Sequence, residues 1–183
     1  GIITALITPF HEDGSLNFDG LLQNMLDQVD AGIHGLLLFG STGEGELLTH
    51  EERDFISKEV VTAFKGKVPL IFSATHCATT TALQHAREAE ANGADALLIA
   101  APYYVRPTQE GLYRHFKTIA EAVSIPIILY DNPARCGVTF EYETLQRLSP
   151  YCTAIKQCSG KLEKLFNQPL PVFAGDDAAL LPG

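Results

Sequence analysis

The feature that most constrains the fold is a regular alternation of short apolar segments with stretches of helical periodicity along the chain. The apolar segments are nearly unbroken, a pattern typical of parallel strands that are buried on both faces of a sheet. They occupy residues 2–7, 35–39, 69–74, 95–100, 126–130, 153–156 and 172–174. Repeated alternation of this kind predicts an α/β fold with a parallel sheet.

Helical patterns fill the intervals between these strands. A stripe of apolar side chains ends at Gly32, and glycine is a common C-terminal cap. Thr49 and Glu52 form a capping-box pattern in front of a second amphipathic stripe. Three more helices are predicted over residues 80–92, after Pro107 and Thr108, and between Thr139 and Pro150.

Two architectures are compatible with this order, a doubly wound sheet and a (β/α)8 barrel. No Gly-x-Gly-x-x-Gly motif opens a helix after the first strand, which disfavours a dinucleotide-binding doubly wound sheet. An eight-unit barrel typically needs about 250 residues, whereas this chain has 183 and ends shortly after its seventh predicted strand. As a barrel it would be a single domain over residues 1–183, truncated after the seventh strand, incomplete at its C-terminus and short in the crossover at residues 161–168.

Composition argues against several classes of function. Asp and Glu total 22 against 13 Lys and Arg, and the net charge of −9 leaves too few cations for a nucleic-acid-binding face. No apolar run approaches the roughly 18–20 residues that span a bilayer, and no secretion leader opens the chain, so we expect a cytoplasmic protein without membrane contact. The four cysteines have neither Cys-x-x-Cys nor zinc-like spacing, which predicts small buried thiols and no metal site.

In parallel α/β folds the functional site lies at the carboxyl ends of the strands. Lys156 ends the sixth apolar segment, where it is either a solvated end residue or an amine held in a pocket as a nucleophile for carbonyl carbon. Residues 40–45 form a glycine-flanked turn whose backbone N–H groups, with the hydroxyls of Ser41 and Thr42, suit a carboxylate or a phosphate. This turn lacks a P-loop lysine, and the alternative is a turn that merely needs glycine.

The other strand ends supply further candidates. Tyr130 ends the fifth segment and is either a core residue or a phenol that transfers protons in the site. Tyr103 and Tyr104 are flanked by prolines and fit an interface. Arg135 is either solvated or binds an anionic substrate in a mouth without other cations. Gly175 begins the turn after the seventh segment.

These segments form one recognisable set, in order and spacing, made up of residues 4–10, 40–44, 102–104, 109–113, 130–137 and 155–156. The set resembles the pyruvate-dependent lysine Schiff-base aldolases and synthases, and among them the dihydrodipicolinate synthase group. The resemblance extends from Gly1 to about Ala179. It implies a (β/α)8 TIM barrel and the condensation of pyruvate with L-aspartate 4-semialdehyde to 4-hydroxy-tetrahydrodipicolinate, in lysine and diaminopimelate biosynthesis.

The resemblance also implies roles for individual residues. Lys156 matches the lysine that forms the Schiff base, Tyr130 the tyrosine that transfers protons beside it, and Ser41 a relay hydroxyl. Tyr104 matches a second tyrosine that members of the family lend across a dimer contact, so a homodimer or homotetramer is implied. The implied substrate-binding residues are Thr42 for the carboxylate of pyruvate, Arg135 for the carboxylate of the aldehyde, and Gly175. Neither a metal nor an organic cofactor is implied.

Two departures from the family pattern bear on function. Asp131 and Asn132 replace a commoner Asn-Val pair, and the pyruvate contact of an eighth strand has no counterpart. Arg135 together with Tyr104 favours the synthase over N-acetylneuraminate lyase or another pyruvate aldolase, which are alternatives on the same scaffold. A non-catalytic truncated homologue is a further alternative.

Overall fold

The computed structural model describes residues 1–160 and 166–176. Its strands are β1 (Ile3–Ala5), β2 (Gly35–Leu38), β3 (Leu70–Ser73), β4 (Ala96–Ala100), β5 (Ile127–Asp131), β6 (Ala154–Gln157) and β7 (Val172–Ala174). Its α-helices are α1 (Phe18–Asp30), α2 (His50–Phe64), α3 (Thr79–Asn92), α4 (Gln109–Ala120), α5 (Pro133–Cys136) and α6 (Tyr142–Leu148). Short 3₁₀ turns lie at Ser41–Gly43 and Gly45–Leu47.

The seven strands form one parallel sheet in the order β1-β2-β3-β4-β5-β6-β7. All seven predicted strands are confirmed, and each observed end lies within two residues of the predicted one. Each strand pairs with the next one along the chain, whereas the order of a doubly wound sheet reverses at a switch point. The sequential order is that of a barrel wall.

The predicted helices are confirmed, with one error at an N-terminus. The capping box of α2 is present, since Thr49 Oγ1 accepts from the Glu52 amide and Glu52 Oε2 accepts from the Thr49 amide. The helix expected to start from Thr139 begins instead at Tyr142. The reason is tertiary: Thr139 Oγ1 donates to Asp131 Oδ2 over 2.7 Å and its carbonyl accepts from Gln109, so this residue is held by β5 and α4.

The inner strands carry the core. Every residue of β2, β3 and β5 is buried, whereas β1 and β7 are half-buried along their whole length. Within the described residues β1 and β7 are not paired with each other, and a cavity of about 980 Å³ lies between them. This cavity is lined by residues of both edge strands and opens the interior of the curled sheet.

The sequence also predicts buried cysteines and a short crossover at residues 161–168. All four cysteines are free thiols; Cys136 and Cys152 are buried as predicted, whereas Cys77 and Cys158 are only half-buried. The short crossover expected at residues 161–168 falls mostly outside the described residues. Among the helices of the described chain, none combines the length and the apolarity needed to cross a bilayer.

Candidate functional site

Lys156 and Tyr130 are neighbours at the carboxyl ends of β6 and β5. The two residues are partners in the register of the sheet, and Lys156 is also paired with Phe173 of β7. The Lys156 Nζ lies 4.8 Å from the centroid of the Tyr130 ring. Tyr130 is 9% exposed, while Lys156 is half-buried. Of the two readings of Lys156, the structure supports an amine held against a pocket wall beside a buried phenol.

Gly175 makes room for the stem of this lysine. A Cβ at Gly175 would lie 2.8 Å from Lys156 Cε and would overlap Cys158 Sγ. Its amide donates to the Gln157 carbonyl over 2.8 Å, which fixes the chain beside the end of β6. Gly175, Lys156 and Thr42 line the same large cavity. The backbone can pass this close to the lysine only because residue 175 has no side chain.

The glycine-flanked turn at residues 40–45 uses several of its own N–H groups in internal hydrogen bonds, so fewer are free for an anion than the sequence predicts. The amides of Gly43 and Gly45 both donate to the Gly40 carbonyl, and the Glu44 amide donates to the Ser41 carbonyl. These N–H groups are therefore used inside the turn. Ser41 and Thr42 are exposed, and their N–H groups take no part in these hydrogen bonds within the turn. The prediction of an anion-binding turn narrows to these two residues.

Arg53 of α2 braces this turn, a role that the sequence analysis missed. Its Nη1 donates to the Gly45 carbonyl over 3.1 Å and its Nη2 to the Ser73 carbonyl over 2.7 Å. The guanidinium also lies 4.5 Å from the centroid of the Phe39 ring. Burial lowers the pKa of Arg53, and the nearby Glu46 carboxylate opposes that shift. No local pattern identifies such a contact, because it joins residues from three separate elements.

The predicted site residues other than Tyr104 line two cavities rather than one. A second, smaller cavity of about 330 Å³ is lined by Ser41, Tyr130 and Arg135. Thr42, Lys156 and Gly175 line the larger one, and Leu98 lines both. The two cavities therefore share a wall, and the hydroxyls of Ser41 and Thr42, adjacent in sequence, belong to different sides of it. The Lys156 amine therefore lies on one side of this wall, and Tyr130 and Arg135 line the other side.

The Tyr130 phenol lies in a polar setting within this wall. Burial raises its pKa, and a hydrogen bond from Asn132 Nδ2 to the phenol oxygen, 2.8 Å long, opposes the shift. The Cys158 thiol is also within hydrogen-bonding reach and raises the pKa further, while Arg135 lowers it. The pKa of Tyr130 therefore depends on burial and on the side chains of Asn132, Cys158 and Arg135.

Tyr103, rather than Tyr104, points into the smaller cavity. The Tyr103 hydroxyl donates to Glu46 Oε2 over 2.6 Å, and its pKa is raised first by burial and then by this carboxylate. From the sequence, Tyr103 is expected only at an interface, and no local pattern predicts its contact with Glu46. Tyr103 and Glu46 line the smaller cavity together with Ser41.

Tyr104 does not reach either cavity of its own chain. Its side chain is 91% exposed, and its φ of 69° is a left-handed conformation that is uncommon for residues other than glycine. The Val105 amide donates to the Tyr103 carbonyl over 2.8 Å, which closes a tight three-residue turn around Tyr104. The turn therefore directs this ring away from Lys156.

A second arginine lies near Arg135, although it lines neither of the two cavities. A Cβ at Gly137 would lie 2.6 Å from Arg106 Nε, so the Arg106 side chain packs against the C-terminal cap of α5, the helix that carries Arg135. Gly137 has a φ of 68° and caps α5, which leaves this surface open to the guanidinium. Arg106 is far from Arg135 along the chain, and only the fold brings it to the same loop.

Residues 1–160 and 166–176 contain no group of three His, Cys, Asp or Glu side chains that could hold a metal ion. The residues that line the two cavities supply an amine, a buried phenol, hydroxyls and the guanidinium group of Arg135. That combination suits reactions of carbonyl compounds that carry carboxylates.

A family model described as the dihydrodipicolinate synthetase family matches residues 1–183. The chain belongs to the dihydrodipicolinate synthetase family. Among curated relatives, the 4-hydroxy-tetrahydrodipicolinate synthase of Moorella thermoacetica is 41% identical over 189 residues, covering 99% of this chain and 65% of the relative. That of Methanopyrus kandleri is 42% identical over 189 residues, covering 100% of this chain and 62% of the relative. The chain thus spans slightly less than two thirds of the length of these family members.

Solved structures in the family have the same fold. The dihydrodipicolinate synthase of Aquifex aeolicus superposes with a TM-score of 0.91 at 36% identity, covering 97% of this chain and 64% of that one. The chloride-inhibited enzyme of Acinetobacter baumannii, solved with pyruvate, superposes with a TM-score of 0.92 at 35% identity, covering 98% and 65%. These matches confirm the predicted TIM-barrel fold and the predicted family.

Proposed function

We propose that the protein is a lyase of the pyruvate-dependent aldolase type, a 4-hydroxy-tetrahydrodipicolinate synthase. It would condense pyruvate with L-aspartate 4-semialdehyde in the cytoplasm, for lysine and diaminopimelate biosynthesis. The observation that carries the proposal is the position of Lys156 Nζ, 4.8 Å from the centroid of the Tyr130 ring, at the carboxyl ends of paired strands. The names of the relatives support the choice of reaction.

The first step is formation of an imine on Lys156. The amine attacks the keto carbon of pyruvate, a water molecule leaves, and the nitrogen becomes a protonated imine. Thr42 lines the same cavity and would donate hydrogen bonds to the pyruvate carboxylate, while Gly175 keeps the space beside the lysine stem free. The protonated imine draws electrons from the adjacent methyl group, so the reaction needs neither a metal nor an organic cofactor.

The second step moves a proton through Tyr130. Tyr130 passes its own phenolic proton to the Ser41 hydroxyl, which relays it onward, and the phenolate oxygen takes a proton from the methyl group, leaving a nucleophilic enamine. The enamine carbon attacks the aldehyde carbon of the second substrate, and the aldehyde oxygen receives a proton from Tyr130. Arg135 holds the carboxylate of that substrate. The amino group of the bound substrate then attacks the imine carbon, which closes the ring and releases the Lys156 amine.

Residues 1–183 would contribute one barrel domain, and the protein would act as a homodimer or homotetramer. The support for this comes from Tyr104, whose exposed ring and left-handed backbone lie away from the cavities of its own chain. Strained backbone persists where the surroundings demand it, often at functional sites. In the proposed assembly this ring reaches the proton-transfer site of a neighbouring subunit.

The test is trapping of the imine. The protein is incubated with pyruvate and borohydride, and its intact mass and peptide map are recorded. We expect a pyruvyl adduct on Lys156, none in K156A, and none without pyruvate; K58A, which alters a surface lysine paired with Asp54, is the control that keeps the adduct. A wild-type protein that gives no adduct, or one located on another lysine, would overturn the proposed function.

A further inference from the structure

Asn132 connects two residues that the proposed reaction uses in separate steps. Its Nδ2 donates to the Tyr130 phenol oxygen over 2.8 Å, and its Oδ1 accepts from the Arg135 backbone amide over 3.2 Å. The side chain is 8% exposed, and the contact with Tyr130 is buried. One amide group therefore joins the phenol to the first turn of α5, which carries the arginine.

The two contacts fix which way the amide faces. A backbone N–H can only donate, and the Arg135 amide is shared between Asn132 Oδ1 at 3.2 Å and the Asn132 main-chain carbonyl at 3.1 Å. With Oδ1 on the Arg135 amide, the Nδ2 of Asn132 faces the phenol oxygen. The phenol oxygen accepts at that position, so its own hydrogen has to point elsewhere. On its other sides the phenol faces, among other groups, the Cys158 thiol and the cavity that Ser41 lines.

We propose that Asn132 is a positioning residue for proton transfer: it holds the Tyr130 phenol as an acceptor of one amide hydrogen bond and ties it to the turn that carries Arg135. This proposal rests on the function proposed above. An N–H donor stabilises a phenolate more than a neutral phenol, so the amide favours the form of Tyr130 that accepts a proton.

Three variants separate the donor from the helix cap. N132D keeps the shape of the side chain and the acceptor for the Arg135 amide, but replaces the donor with a carboxylate oxygen. N132S keeps a good N-cap residue, and its hydroxyl is too short to bridge both partners. N132L removes both contacts and keeps the number and branching of the side-chain heavy atoms, although the two methyl groups make it bulkier. If the cap alone matters, N132D and N132S behave as wild type, and only N132L differs.

The first measurement does not depend on turnover. The ionisation of Tyr130 is followed by NMR of isotope-labelled tyrosine, with the signal assigned through Y130F. We expect the pKa of Tyr130 to rise by about one unit or more in N132S and N132L, and further in N132D, because each loses a hydrogen bond to the charged form. A titration of Tyr130 that is unchanged in N132D and N132S would overturn the proposal, whatever the activity of the protein.

The second measurement isolates proton transfer to and from the imine. The rate at which the methyl hydrogens of pyruvate exchange with heavy water is measured against pH, and borohydride trapping reports the imine itself. We expect trapping on Lys156 to be retained, while exchange at neutral pH falls about tenfold per unit of pKa rise and its profile moves to higher pH. Absence of trapping in the wild type would refute the proposed function alone, whereas normal exchange in N132D with normal trapping would refute the role of Asn132.

Discussion

Gly175→Ala is the change that most directly tests the geometry around Lys156. The new methyl group would lie 2.8 Å from Lys156 Cε and would overlap Cys158 Sγ, and the Gln157 carbonyl would be 3.0 Å away. Carbon atoms in ordinary contact lie about 3.5 Å apart, so the lysine stem would have to retreat by about 0.7 Å. The alternative is a shift of the chain after β7.

Either shift should lower the stability of the protein or slow the reaction at Lys156. Overpacking of this kind typically destabilises a protein by about 1–3 kcal/mol, and each kcal/mol lowers the Tm of a chain of this size by about 2–4 °C. A displacement of nearly 1 Å at a reacting group can slow a reaction by up to about a hundredfold. We therefore expect G175A to trap pyruvate with borohydride at least about tenfold more slowly than the wild type.

The assay compares three variants for the trapping rate and for Tm. G111A is the control, because a Cβ at that helical position meets its nearest atom, Pro107 Cβ, at 3.3 Å and lies outside both cavities. The double variant C158A/G175A removes the overlap with the thiol, so it should recover stability while the contact with Lys156 still slows trapping. A G175A protein that traps pyruvate at the wild-type rate with an unchanged Tm would show that the close approach to the lysine is not required.

Three further predictions concern other parts of the molecule. Arg53→Met leaves the Gly45 and Ser73 carbonyls without their charged donor, and should lower the free energy of unfolding in urea by about 2–3 kcal/mol; an unchanged midpoint would contradict the bracing role. Arg135→Ala should leave trapping on Lys156 intact while kcat/KM for the aldehyde falls about 30-fold, equivalent to about 2 kcal/mol; normal kcat/KM would remove Arg135 from substrate binding. His115 is 4% exposed, and burial, with a smaller contribution from His76, lowers its pKa from 6.5 to about 4. Below pH 6.5 the unfolded chain binds a proton that the folded chain refuses, so stability should fall as pH falls from about 6.5 to about 4, by about 2–3 kcal/mol at this site. His115→Gln should flatten that part of the profile of unfolding free energy against pH, and an equally steep profile would refute this cause.

The elements of this fold follow from local chemistry. Unbroken apolar runs predict strands buried on both faces, and every such run became a strand within two residues of its predicted ends. Thr49 with Glu52 and Thr108 with the Gly111 amide supply caps that depend only on neighbours three residues away. Strand ends then identified Lys156 and Tyr130 as candidates, because parallel sheets place such ends at one edge.

Contacts between distant parts of the chain could not be predicted from local sequence patterns. Thr139 has a sequence context that predicts a helix start, yet its side chain bonds to Asp131 and the helix begins later. Arg53 was missed because its partners, Gly45 and Ser73, lie in separate elements. Arg106 was missed for the same reason, since it meets the Arg135 loop only across space.

The sequence alone established the α/β pattern and which residue types end each strand, because hydrophobic burial and capping act over a few neighbouring residues. The tertiary structure decided which of those residues meet: Lys156 with the Tyr130 ring, the phenol with Asn132, and the lysine stem with Gly175. It also turned Tyr104 outward and Tyr103 toward Glu46, although the two are adjacent. Distances of a few ångströms set these chemical relationships, and they arise only when the curled sheet brings separate strand ends together.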